Sequence, residues 1–485
     1  LCLVLSVFGT AAAPTPQTTL TIGINADPGS LAPHSVPGSI IGNRIFHMLY
    51  DQLTRTDTQG VVQPMLATAW EQSDATTWVF TLREGVVFHN GETMTADDAA
   101  FSLNRLVFGE QQSAIRSLFA PFIASIEATG DLELTITTLA PDPLLPLRLS
   151  TPFSAIMPRA YVEATDFEAL QTAPIGAGPY RVQELIAGDR LVLVRHDAYW
   201  MGAPEASEVV VRLIPETSTR VAALQAGEVD FITTVSPDLV DVLDGQADLR
   251  VDTVPVYNFM LIYFNTKMGV TQDPLIRQAL ALAIDREAIA EALWGSRVRV
   301  MNDYYLPGEF AYDPERPIFA YDPERAQALL AEAGYAGEEL PFTPPSSYYT
   351  NGQLVTDAIS EMWKAVGITV AYEPLDTAAW ADRSLGGQNI ATLQSFGTSG
   401  DPATSSIVQT WGSWLGQYYT PSDEFNALAA EAAQSLDGET RLSNYRRIAE
   451  ILDADVPFTP LYQSVEFYAT RDGISLVDLR AADWA

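Results

Sequence analysis

The chain of 485 residues holds one cysteine, Cys2, two lysines, Lys267 and Lys364, and four histidines. With no second cysteine an intramolecular disulfide is excluded, and Cys2 falls in an apolar leader-like run, so thiol catalysis is not expected of the mature chain. Met268 and Ala365 follow the two lysines where a phosphate-binding P-loop requires Ser or Thr. His34, His47, His89 and His196 show neither H-E-x-x-H spacing nor close pairing, so no metal site is expected. No G-x-S-x-G elbow occurs, and Gly176-Ala177-Gly178 runs into Pro179 instead of a third glycine, which makes it a turn rather than a dinucleotide fingerprint. Basic residues are scarce as well: 27 against 61 acidic ones leave a net charge of −34. Such a chain offers no basic face to a phosphate backbone, so nucleic acid is not an expected partner. The acidity suits a soluble surface or a saline habitat, and it also suits attraction of a cationic solute; the sequence leaves both open.

Long apolar runs are missing too. Leu1 to Phe8 is too short for a membrane span, which needs roughly 20 apolar residues. Gly9, Thr10 and Ala11 to Ala13 follow it like the cleavage region of a signal peptide, so residues 1–17 read as a leader remnant and the protein as exported to a periplasm. A lipid-anchored cysteine would follow its apolar run, which Cys2 does not, although an anchored form stays open. What is present argues for a packed globular protein: 47% hydrophobic residues with 18% charged. The length allows two or three domains.

Strand-like runs at Thr19 to Asn25, Leu132 to Thr138, Leu191 to Arg195, Val209 to Ile214 and Val229 to Thr234 alternate with helical segments, an α/β pattern. Ser218 is expected to cap a helix ending before Gly227; Asp273, Asp285 and Asp322 are expected to cap three more. Of two YDPER strings, at Tyr312 and Tyr321, only the second precedes a helical apolar pattern, so the first reads as a loop. Trp78 to Arg105, WVFTLREGVVFHNGETMTADDAAFSLNR, joins a strand, an Asn90-Gly91 turn and a helix opened by Thr95 with Asp98 in a capping box.

That wording resembles the extracellular solute-binding proteins of family 5, the dipeptide, oligopeptide and nickel-binding class that feeds ABC importers. PMLATAW at Pro64, PIGAGPY at Pro174, LQAGEVDF at Leu224, RQALALAIDREAIAEA at Arg277, YDPERAQALLAEAGY at Tyr321 and the segment Arg441 to Pro460 are similar to further family segments, in the same order. The resemblance implies a two-lobed periplasmic-binding-protein fold with two hinge crossings and an extra subdomain in lobe I. Lobe I would hold residues 18–258, with the subdomain at about 48–173, lobe II residues 259–458, and 459–485 would return to lobe I. The crossings fall near Pro255 to Phe264 and Asp455 to Tyr462, apolar extended runs containing prolines. The implied function is a monomeric receptor that captures a peptide-like or other polar solute between the lobes and delivers it to ABC permease subunits, with no cofactor. A secreted hydrolase or scaffold on the same fold is the alternative.

A cleft of this kind needs polar groups and flat stacking surfaces from both lobes. Candidates in lobe I are Asp27 and His34 in the loop after the first strand, with Tyr257 and Asn258 beside the crossing. Lobe II offers Tyr348, Tyr349, Trp380, Thr398, Asp401, Trp411, Trp414 and Tyr418. Dipeptide-binding members hold the ligand's amine with an aspartate and its carboxylate with an arginine. Here Thr398 stands at the aspartate's place, with Asp401 as a partial substitute, and Pro341 to Gln353 contains no basic residue. Charge-assisted hydrogen bonds are about twice as strong as neutral ones, so both losses argue against a strict dipeptide binder.

Overall fold

A computed structural model describes residues 18–34, 40–57, 59–109, 114–398, 400–404, 414–472 and 474. Its backbone is one mixed sheet of ten strands. In spatial order they are Thr369–Tyr372, Glu339–Phe342, Ala391–Gly397, Leu249–Phe264, Phe458–Arg471, Phe231–Ile232, Thr19–Ile24, Glu208–Leu213, Arg190–Arg195 and Tyr180–Ile186. The two long central strands are antiparallel and pair from Leu249–Arg471 at one end to Tyr263–Phe458 at the other. Between them the register jumps: Pro255 faces Val465 and Phe259 faces Gln463, so Val256, Tyr257 and Asn258 bulge opposite Ser464. The expected crossing segment Pro255 to Phe264 lies in this strand pair, as does Phe458 to Tyr462 of the second, whose Asp455 still belongs to the preceding helix; the break falls at the start of the first and just past the end of the second.

The strand Leu249–Phe264 shows why its residues are apolar on both faces. Phe259, Leu261 and Tyr263 pack with Tyr305, Phe396, Tyr445 and Phe458, whereas Met260, Ile262 and Phe264 enter a second core with Leu340, Phe342, Val355 and Trp363. A strand covered on both sides reads as a continuous hydrophobic run instead of an alternation. Two buried arginines fasten the return strand. Arg277 donates from Nε to the Asp455 carbonyl at 2.8 Å and from Nη1 to the Thr271 carbonyl at 2.7 Å. Arg286 donates to the Pro460 carbonyl at 2.7 Å and to the Thr459 hydroxyl at 2.5 Å. Burial lowers the Arg286 guanidinium to about 10, so it stays charged at neutral pH and needs those carbonyls.

A smaller antiparallel sheet of Ala67–Gln72, Thr77–Leu82, Glu133–Thr138 and Ile123–Gly130 is covered by the helix Ala96–Phe108 and owns a core including Phe80, Phe88, Leu103 and Ile136. The expected capping box is in place: Thr95 N donates to Asp98 Oδ2 at 2.9 Å. Asp273, Asp285 and Asp322 cap their helices by accepting from Leu275, Ala288 and Arg325. Ser218 does not cap. The helix starts at Thr217 with Glu216 as its N-cap, because Arg220 draws the entry in by bonding the Ile214 and Pro215 carbonyls and the Thr217 hydroxyl. The first YDPER copy is a turn in which Glu315 N bonds Asp313 Oδ1 at 3.0 Å, and the second opens the helix Pro323–Glu332. Among the described residues no helix is long and apolar enough to cross a membrane. Residues 1–17, expected to be a leader remnant, lie outside them.

Candidate ligand-binding site

The strand Ala391–Gly397 carries the site's frame. It pairs with the first long strand so that Gly397 faces Asn258, and Thr398 N donates to the Tyr257 carbonyl at 2.8 Å. Tyr257, Asn258 and Thr398 thus converge at the register break. Asn258 Oδ1 and Thr398 Oγ1 are buried and have no hydrogen-bond partner among the described residues. A buried polar atom left unpaired costs roughly 1–3 kcal/mol, so both are placed to gain from a donor or acceptor brought in from outside.

Against the same strand, Tyr348, Tyr349 and Trp380 form an aromatic bracket. The Trp380 indole is buried and donates to Thr392 Oγ1 at 2.9 Å, which fixes its plane. Tyr349 stands edge-on to it at 6.0 Å, with its hydroxyl 3.4 Å from Gln394 Oε1 and 3.5 Å from Ser395 Oγ. Burial raises the Tyr349 phenol to about 12. Tyr348 lies on top, 5.2 Å from Trp380 and tilted by 34°, and is 57% exposed. One ring is therefore offered to solvent on two that are held in place. Gln394 and Ser395 were not singled out from the sequence; their place on a strand leading into Thr398 was the available signal.

The other candidates go elsewhere. Asp401 is buried: its carboxylate pairs with Arg441 and accepts from the Tyr445 hydroxyl at 2.8 Å and Ala403 N at 2.9 Å. Burial raises this carboxyl against the pull of Arg441. Tyr418 is also buried, edge-on to Tyr263 at 4.8 Å, with its hydroxyl donating to the Ser384 carbonyl at 2.9 Å. His34 is buried beside Tyr50, Arg105 and Met157, with Nε2 on the Ala155 carbonyl at 3.2 Å. Burial lowers it to about 3, so it is neutral. Asp27 is exposed and closes a turn, accepting from Gly29 N at 2.7 Å and Gly188 N at 3.2 Å. Trp411 lies outside the described residues, and Trp414 begins the short turn Trp414–Gln417.

Histidine pairing departs from expectation. His89 and His196 meet edge-on at 5.2 Å, a proximity their sequence separation hid. Each is nevertheless engaged by backbone: His89 Nε2 on the Gly178 carbonyl at 3.0 Å and His196 Nε2 on the Val87 carbonyl at 2.9 Å. Among the described residues no group of three or more His, Cys, Asp or Glu is arranged to hold a metal ion.

A ten-stranded sheet threaded by two long strands, with an aromatic bracket beside their register break, defines a two-lobed binding protein of the periplasmic type. The chain belongs to the bacterial extracellular solute-binding proteins, family 5, whose model (family 5 Middle) matches residues 61–417. These are transport receptors and not enzymes. The chain is 28% identical over 437 residues to heme-binding protein A of Haemophilus influenzae, covering 84% of this chain and 80% of that one. It is 25% identical to the probable di/tripeptide-binding protein 5 of Pseudomonas aeruginosa, over 96% and 93% of the two chains. Among solved structures, the ABC transporter substrate-binding protein CtaP of Listeria monocytogenes superimposes with a TM-score of 0.86 at 22% identity, covering 94% of each chain.

Proposed function

We propose that the protein is the periplasmic receptor of an ABC importer for an uncharged or peptide-like polar solute. It acts as a monomer, enclosing the solute between lobe I, residues 18–258 with 459–485, and lobe II, residues 259–458, and then docking on the permease. The subdomain at about 48–173 belongs to lobe I in this scheme. The observation that carries the solute class is the exposed Tyr348 on its Trp380–Tyr349 support, together with the unpaired neutral atoms of Asn258 and Thr398. Stacking on a flat ring and neutral hydrogen bonds favour sugar rings, aromatic side chains and peptide amides.

The reading also disfavours free dipeptides. Asp401 is spent on Arg441 and Tyr445, so it does not stand in for the amine-binding aspartate that Thr398 replaces. Relatives named for heme and for di- and tripeptides are about equally distant from this chain, so kinship does not choose the solute. Native mass spectrometry of the purified protein identifies what it retains, and calorimetric titration with a dipeptide panel is expected to give weak binding or none. Tight dipeptide binding that requires both free termini would overturn this solute class.

A further inference from the structure

Three glycines from three separate segments meet beside the crossings. Gly60 (φ 77°) lies at the tip of the hairpin Thr54–Thr56 and Val62–Pro64, Gly308 (φ 92°) in the loop after Tyr305, and Gly400 (φ 84°) after the strand Ala391–Gly397. A Cβ on Gly60 would overlap the Gly308 carbonyl oxygen. One on Gly308 would come within 3.2 Å of the Tyr257 hydroxyl and 3.5 Å of the Gln59 carbonyl carbon. One on Gly400 would lie 3.2 Å from Leu147 Cδ1 and 3.7 Å from the Gly60 carbonyl oxygen. Backbone therefore touches backbone, and both the left-handed conformation and the lack of room call for glycine.

Each side is braced within itself. Asp57 Oδ1 accepts from Gln59 N and Val61 N, both at 2.9 Å, and its Oδ2 holds Gln63 Nε2 at 2.7 Å. Opposite, Glu309 Oε2 accepts from Leu306 N at 2.7 Å, and Phe310 N bonds the Gly400 carbonyl at 3.0 Å. Beside the seam, Leu144 is buried among Phe259, Tyr305 and Leu306, and Leu147 packs against the same cluster. Two stiff loops that meet backbone to backbone form a contact that is either seated or lost within about an ångström.

We propose that this glycine seam is a latch: it holds the inserted subdomain against lobe II in the closed form and releases as the lobes part, without touching the solute. The proposal rests on the lobe assignment above. Because closure is an equilibrium between two arrangements, weakening the latch lowers the closed population and speeds solute release.

The test measures distances between spin labels at Leu139→Cys and Leu436→Cys, exposed positions on the subdomain and on lobe II, in protein with Cys2→Ser. Gly60→Ala and Gly308→Ala are expected to lower the closed fraction roughly tenfold, as overpacking of a tight contact does. Leu147→Ala, which adds no backbone strain, should lower it several-fold by the same route. Gly85→Ala is the control: φ is 76°, but nothing lies within 4 Å of the added Cβ, so it strains the chain and leaves the distances as in wild type. If Gly60→Ala and Leu147→Ala both match Gly85→Ala while wild type still closes, the latch is refuted and the receptor reading stands. A wild type whose single distance moves neither with the retained solute nor after its removal refutes closure itself, and the latch with it.

Discussion

Thr398 and Asp401 stand three positions apart and end in opposite conditions. The charged residue is buried and fully engaged by Arg441, Tyr445 and Ala403, whereas the neutral one buries a hydroxyl that has no partner among the described residues. Tyr418 and Tyr348 repeat the contrast: one phenol is sealed in the core on a carbonyl, the other lies open on a supporting bracket. Of these four residues the one with the strongest polar group stabilises the fold, and the ones left open or unpaired are those the proposed site draws on. A charge taken out of water has to be compensated within the protein, and once compensated it has little left to give a ligand.

The largest effect that would break this contrast comes from Asp401→Ala. It leaves Arg441 buried without its partner and is expected to cost about 3–5 kcal/mol, read from denaturant unfolding. A loss under about 1 kcal/mol together with a collapse of solute affinity would instead make Asp401 a ligand contact. Next is Glu309, buried with its carboxyl pushed up to about 8, chiefly by burial. Its folded value lies above the ordinary glutamate value of about 4.5, so the folded state keeps a proton that the unfolded chain releases, and stability falls as pH rises from about 4.5 to about 8. Glu309→Gln should remove that slope. The gap between variant and wild type is expected to grow by roughly 1–3 kcal/mol between pH 5 and pH 8. A constant gap across pH would mean that Glu309 is already ionised.

Smaller effects sharpen the tyrosine pair. Tyr418→Phe deletes a buried hydrogen bond and should cost about 1 kcal/mol of stability with solute affinity unchanged. Tyr348→Ala should stay within about 0.5 kcal/mol of wild type in stability yet weaken binding of the retained solute by calorimetry. Equal melting shifts for the two variants, with no change in affinity for either, would move the site away from Tyr348.

Local signals in the sequence carried far. The Thr95–Asp98 box, the three Asp caps and the strand runs depend on neighbours a few positions away, and the structure has them where the sequence put them within a residue or two. Ser218 failed because Arg220, a side chain with long reach, moved the helix start. The site was less legible. Whether Asp401 faces a cleft or a core depends on Arg441 and Tyr445, forty or so positions on, and nothing in the pattern around Asp401 announces them. Tyr348 and Tyr349 were adjacent in sequence, but their support by Trp380 comes from a different element. The arginines that fasten the return strand were visible as part of a familiar segment, while their task of holding carbonyls was not.

The long strand pair also constrains how the chain is made. Leu249–Phe264 meets its main partner only in Phe458–Arg471, the last strand described, so the central pairing joins stretches separated by most of the second half of the chain. Contacts of such sequence separation form slowly, because a long loop must close before they repay the loss of chain freedom. Arg277 and Arg286 are already in place by then, with their carbonyl acceptors on Asp455 and Pro460 still to arrive. Until the final strand is delivered, both halves keep an open sheet edge and the two guanidinium groups lack their acceptors on Asp455 and Pro460, a window in which the growing polypeptide depends on being kept from its neighbours.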